Sequence, residues 1–232
     1  EINKAKDYAA EDADITYRLF KKFFKNLKAE KLTNIYEIFE KPLIKILSLM
    51  EIEGIKINEG FLKKLSEKFQ NKIDKLEKDI FKISKKNFKI GSTKQLGEIM
   101  YNELKISTLK KTKKGSFATS ASVLEDLAFK GHLLPKYVLE WRQLSKLKNT
   151  YSDTLPEHIN PKTNRVHTSF LLAATSTGRL ASSDPNLQNI PIKTSDGNDI
   201  RKAFVAEKNK SLISADYNQI EMRILSDLAD VK

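Results

Sequence analysis

After Asn58, the apolar residues Leu62, Leu65, Phe69, Ile73, Leu76, Ile80 and Ile83 recur every three or four positions. That period is helical, and it runs long enough to exclude a strand. A helix of this length cannot hide its stripe alone, so the surrounding chain must supply further helices to pack on it. Asn58 is suited to cap its start. Lys63, Lys64, Lys68, Lys72, Lys75, Lys78 and Lys82 cover the rest of the circumference. Two readings stand: a solvated basic face on a bundle helix, or a face laid along phosphates.

The charge balance bears on that choice. The 232 residues carry 42 Lys and Arg against 30 Asp and Glu, a formal net charge of +12. Such a surplus suits a polyanionic partner, though drift toward lysine would produce it too. Among the basic residues only Arg18, Arg142, Arg165, Arg179, Arg201 and Arg223 are arginine. Arginine offers a planar fork where lysine offers a point charge, so specific recognition is expected in the C-terminal part, where most of them lie. Cysteine is absent, which excludes disulfides and thiolate metal sites and fits a reducing cytoplasm. His132, His158 and His167 are too scattered for a histidine metal site. No apolar run is long enough to cross a membrane. The opening "EINKAKDYAAEDAD" has no apolar signal-peptide region and no Met, so it reads as neither a leader nor a natural start.

Along the chain, residues 1–29 and 31–55 read as helices, with Pro42 expected at a first turn or a kink. "EIEGIKINEG" predicts a break and a short strand. Ser92 or Thr93 caps the next helix. Lys110, Lys111, Lys113 and Lys114 crowd a loop before Thr119, Ser120 and Ser122 start another; this is either a phosphate site or a disordered charged loop. Residues 136–155 are predicted helical. Beyond Pro156 the pattern alternates, predicting a strand through Val166, Thr168 and Phe170. Near the end, "SLISADYNQIEMRILSDL" predicts a buried strand that delivers Asp216 to a turn. An amphipathic helix should follow through Ile220, Ile224, Leu225 and Leu228. Taken alone, Asp216 is either a metal ligand or the cap of that helix.

"STGRLASSDPNLQNIP" and, about thirty residues on, "SADYNQIEMR" together resemble family A DNA polymerases of bacteria. "RQLSKLKNTY" and "YAAEDADIT" agree with them in order and spacing. The resemblance covers essentially the whole chain and implies an α+β fold. Residues 1–29 would end a 3′–5′ exonuclease domain, 30–57 begin the polymerase domain, 58–155 form a helical thumb, and 156–232 the first part of an antiparallel-sheet palm.

The same resemblance assigns roles. Asp216 and the Tyr217 carbonyl would bind catalytic Mg²⁺, a hard ion suited to oxygen ligands. Gln219 would order the turn, Glu221 would pack against the sugar of the incoming dNTP, and Arg223 would brace the site. Arg179 would reach the minor groove at the primer terminus, where every base pair presents acceptors. Asn186, Gln188 and Asn189 would add donors to that groove and the backbone beside it. Arg142, Lys146, Lys148 and Thr150 would hold the duplex backbone. Lys110, Lys111, Lys113, Lys114, Thr119 and Ser120 would form a thumb tip on the phosphates. Tyr8 and Asp12 match an exonuclease YxxxD motif, with Asp12 as a metal ligand. The partner is primer–template DNA, with no membrane, and the parent a monomer.

A second polymerase carboxylate and the helix that grips the triphosphate do not occur in these 232 residues. The expectation is therefore a piece of a longer gene product that binds DNA but does not itself polymerise. The rival is a non-catalytic basic nucleic-acid-binding protein. A membrane-surface helix is excluded by lysines spread around the long helix and the lack of interfacial Trp on it.

Overall fold

The stripe after Asn58 forms helix α4, Glu59–Ser84. In the computed structural model, residues 2–106, 117–192 and 194–230 are described. Asn58 adopts extended backbone and its side chain accepts from the Phe61 amide at 2.9 Å, a cap of about 1 kcal/mol. Leu62, Leu65, Phe69, Ile73 and Ile80 are all buried. Each contributes roughly 1.5–3 kcal/mol by leaving water, which makes this stripe the main organiser of its unit.

The chain divides into two compact units, residues 1–54 with 166–189 and residues 55–165 with 190–232. The second unit holds α4, α5 (Thr93–Gly97), α6 (Ala121–Phe129), α7 (Leu133–Leu147), α8 (Ser195–Arg201) and α9 (Ile220–Leu228). Ser92 caps α5 through its hydroxyl. Ile80, Leu96, Met100, Leu124 and Val138 meet in one apolar core. Trp141 on α7 donates its indole N–H to Glu77 on α4 at 2.9 Å, so the polar edge of the ring is satisfied where the two helices meet. The break before α4 carries an isolated antiparallel bridge, Ile57 to Phe204, flanked by Asn58 N–H to Ala203 O at 2.8 Å.

The first unit holds α1 (Ile2–Ala29), α2 (Thr33–Ile35) and α3 (Lys41–Glu53), with Pro42 in the first turn of α3 as expected. The stripe of α1 forms but stays exposed at Ile15, Leu19, Phe20 and Phe23. β3 (Ser169–Leu171) pairs antiparallel with β4 (Ala181–Ser183), placing Phe170 opposite Ser182. A second two-stranded ladder, β1 (Ile159–Asn160) with β2 (Arg165–Val166), lies in the second unit apart from Val166. The fold is α+β, mostly helical, with small antiparallel pairing.

Three predicted elements differ. The strand through Val166, Thr168 and Phe170 is interrupted at His167 and Thr168, which join neither ladder. His167 Nδ1 lies 2.7 Å from Glu51 O, and the Thr168 hydroxyl donates to Ser183 O and Pro185 O. The predicted helix 136–155 starts earlier, at Leu133, and passes into a single π turn over Lys148–Ser152. The run Ser211–Asn218 forms no strand, and Leu212 and Ile213 are exposed rather than buried. Among the described residues no neighbouring strand takes up its backbone groups, and a strand is only as stable as the ladder it joins.

Candidate functional site

In the second unit, α7 brings several predicted residues to one place. Arg142, Lys146 and Thr150 are spaced by four and share a face. Lys146 and Thr150 are exposed. Arg142 is half-buried and donates Nη1 to the Thr119 carbonyl at 2.7 Å. Burial pushes its guanidinium below the ordinary arginine value, but an arginine remains charged at any pH of interest. This bond ties α7 to the start of α6, where Ser120 is the N-cap residue and its hydroxyl lies 3.2 Å from that of Ser122. Thr119 is itself buried, so its backbone rather than its hydroxyl takes part. Tyr101 fixes the same approach by donating to Ala118 O at 2.7 Å. Lys110, Lys111, Lys113 and Lys114 lie outside the described residues.

Lys148 is placed differently. Its Nζ sits 2.6 Å from Asp153 Oδ2, and its side chain is 19% exposed. Two lysines of the predicted basic face of α4 are also engaged internally. Lys68 meets Asp199 at 2.8 Å and Lys72 meets Asp196 at 2.7 Å, both carboxylates belonging to α8. Sequence reasoning missed these acids because each lies more than a hundred residues from its lysine, and no local pattern marks the pairing. Asp199 also accepts from Lys202 at 2.7 Å. Hydrogen bonds from Lys202 and Lys68 hold its carboxyl at about 2, against an ordinary 3.8. A carboxylate with a depressed value stabilises the fold above the unfolded pKa and loses that contribution as pH falls through the folded one. Asp199→Asn is therefore expected to lower the melting temperature fully at pH 7, with the deficit shrinking between pH values of about 4 and 2. Melting curves of both proteins across that range check it; a deficit independent of pH would mean the pairs contribute nothing.

Asp216 lies on an exposed stretch that leads into α9. The N-cap of α9 is Gln219, in left-handed backbone (φ 54°) and without a side-chain cap bond. Asp216 stands three residues ahead of it, so it is not the cap. Tyr217 is 84% exposed. Arg223 turns back to donate Nε to Asn218 O at 3.0 Å, bracing the turn from the helix side. Glu221 occupies the first turn of α9, where a carboxylate suits the helix dipole. Gln219, Met222, Arg223, Ser226 and Asp227 line a shallow open depression on this helix. Among the described residues no three acidic or histidine side chains converge on a metal position.

In the first unit, Arg179 is exposed in the loop between β3 and β4, and the Thr175 hydroxyl donates to its carbonyl at 2.8 Å. After β4, Asn186 organises the turn. Its Oδ1 accepts from the Gln188 and Asn189 amides at 3.1 and 3.3 Å, while the Ser182 hydroxyl accepts from Leu187 N at 3.0 Å. Asn186, Gln188 and Asn189 are exposed together on this turn. Tyr8 and Asp12 are exposed on α1, four residues apart and so one turn apart on one face.

Of the predicted site residues among the described ones, all but Arg142, Lys148 and Thr119 are exposed, and the order of the motifs along the chain has known counterparts. The sequence profile of DNA polymerase family A matches residues 59–232. The chain belongs to DNA polymerase family A. It is 48% identical over 231 residues to DNA polymerase I of Rhizobium leguminosarum, covering 100% of this chain and 23% of that protein. The figures for DNA polymerase I of Pseudomonas aeruginosa are 44%, 98% and 25%. For the thermostable DNA polymerase I of Thermus thermophilus they are 44%, 95% and 27%. The chain therefore spans about a quarter of the length of these relatives. A solved structure, the POL domain of Pol1 from M. smegmatis in complex with DNA primer-template and dNTP, superposes with a TM-score of 0.80 at 35% identity. It covers 89% of this family A chain and 36% of that one.

Proposed function

We propose that this chain supplies the duplex-holding helices and one metal-binding carboxylate of a family A DNA polymerase. The observation that carries the reading is the face of α7 and the π turn after it, with Arg142, Lys146 and Thr150 in line and Arg142 bonded to the segment that starts α6. Cationic and hydroxyl groups on a helix, beside the exposed residues that start α6, suit a run of phosphates and carry no sequence preference. Arg179, with Asn186, Gln188 and Asn189, gives the first unit a separate set of donors for a groove in which all pairs offer acceptors. Tyr8 and Asp12 retain an exonuclease role within the parent.

Asp216 and the neighbouring Tyr217 carbonyl are hard oxygen donors, which is the chemistry Mg²⁺ requires. They fit as part of a ligand set, not the whole of one. Bound divalent ions supply charge stabilisation for nucleotidyl transfer from a dNTP to a primer end. This chain's own part is to present the Asp216 carboxylate on a braced turn, with Arg223 fixing the turn and Glu221 beside it for sugar selection. The parent polymerises; this chain alone binds primer–template without extending it.

Fluorescence anisotropy with a labelled primer–template tests the reading. Binding by this chain should weaken linearly in log–log form with salt, and Lys146→Gln should flatten the slope by about 0.9. No measurable binding at low salt, or template-directed nucleotide addition by these 232 residues, would overturn it.

A further inference from the structure

Of the four α7-proximal residues grouped above, one does not share the face. Lys148 follows Lys146 by two positions, which turns it to the other side of the helix. There its ammonium donates to Asp153 Oδ2 at 2.6 Å, and the other oxygen, Oδ1, accepts from the Ser66 hydroxyl on α4 at 2.5 Å. Asp153 is also the residue whose amide closes the π turn, donating to Lys148 O at 3.0 Å. One carboxylate therefore joins the two ends of the π turn to each other and to α4.

We propose that Lys148, Asp153 and Ser66 form a latch that sets the π turn at the end of α7, making Lys148 a positioning residue rather than a phosphate contact. Three observations carry this. Lys148 is mostly covered, and reaching a phosphate would require it to abandon Asp153. That exchange would leave a bare carboxylate beside a polyanion, so the gain at the phosphate is offset by the repulsion left behind. Second, Thr150 lies inside the π turn, so its direction depends on the turn being kept. An α turn in its place would rotate the chain beyond it and pull Tyr151 and Leu155 from packing in which they are 2% and 1% exposed. Third, burial pushes the Asp153 carboxyl up, yet the bonds from Lys148 and Ser66 outweigh it and leave it below the ordinary value. The carboxylate is thus ionised and paired.

The DNA readout of this inference rests on the duplex-binding function proposed above; its stability readout does not. Lys148→Met, Asp153→Asn and the double variant are made in this chain, with Ser66→Ala as a milder cut. Without DNA, each single variant should lower Tm by about 3–6 °C, and the double variant by clearly less than the sum. With primer–template, well below Tm, Lys148→Met and Asp153→Asn should each weaken binding several-fold with the salt slope unchanged, and Lys148→Arg should restore it. A slope flattened by about 0.9 in Lys148→Met would make Lys148 a phosphate contact and overturn the proposal. Additive Tm losses, or variants that bind DNA as the unaltered chain does, would overturn it as well. Failure of the unaltered chain to bind DNA removes the polymerase reading and leaves the latch to be decided by the Tm coupling.

Discussion

In the parent polymerase, Asp216→Ala is expected to reduce nucleotide addition at least about a thousand-fold while leaving duplex affinity nearly unchanged. Asp216 is exposed on the stretch before α9, does not cap that helix, and packs against no core. Its removal therefore costs little stability, and a loss of synthesis cannot be ascribed to unfolding. The groups proposed to hold the duplex lie on other elements, α7 and the start of α6. Primer extension and anisotropy on the same preparation separate the two effects. Normal extension by the variant would leave a basic DNA-binding protein with no catalytic carboxylate here. Loss of binding together with synthesis would instead place Asp216 in the duplex interface.

Gly54→Ala should be the most damaging single methyl in the first unit. Gly54 ends α3 with φ 61° and ψ −168°, a region essentially reserved for glycine. A Cβ there would stand 2.6 Å from Val166 O and 2.7 Å from His167 Nδ1. Backbone strain and the clash with a carbonyl add, so a loss of about 3 kcal/mol or more is expected, near 10 °C in Tm. The site bears on the role proposed for Arg179 because Glu51, three residues earlier, holds the start of β3. Its carbonyl meets His167, and its carboxylate accepts from Phe170 N at 2.5 Å. β3 and β4 in turn carry the loop with Arg179. Circular dichroism melting measures the loss; a shift under about 2 °C would show that the Val166–His167 segment can move aside at little cost.

What could be read in advance was whatever is written locally. The α4 stripe, the Asn58 and Ser92 caps and the Pro42 turn each depend on residues within one or two helical turns, and all form as expected. The family motifs were legible because their identity survives in short stretches. The pairings that decide which cations are available were not. Lys68, Lys72 and Lys148 look alike on paper, and only tertiary neighbours turn them toward Asp199, Asp196 and Asp153. β structure failed for a related reason. Ser211–Asn218 has β-prone residues, but propensity there is completed by a pairing partner rather than by the segment itself. The predicted strand breaks at His167 and Thr168, whose side chains bond to Glu51 O and to Ser183 O and Pro185 O, partners no local pattern marks.

The pairing of Lys68 and Lys72 with α8 also bears on rates. An ion pair presents little net charge beyond a Debye length, about 8 Å at physiological salt. With Lys68 and Lys72 paired, the other five lysines of α4 (Lys63, Lys64, Lys75, Lys78 and Lys82) are matched by five acids on the same helix (Glu59, Glu67, Asp74, Glu77 and Asp79), so α4 presents no net charge at long range. Net positive charge accelerates the first encounter with a polyanion, whereas residence time is governed by the close contacts made afterwards. The chain's surplus of +12 that speeds the finding of a duplex would then reside on elements other than α4, and the Arg142 face of α7 would govern how long the duplex is kept.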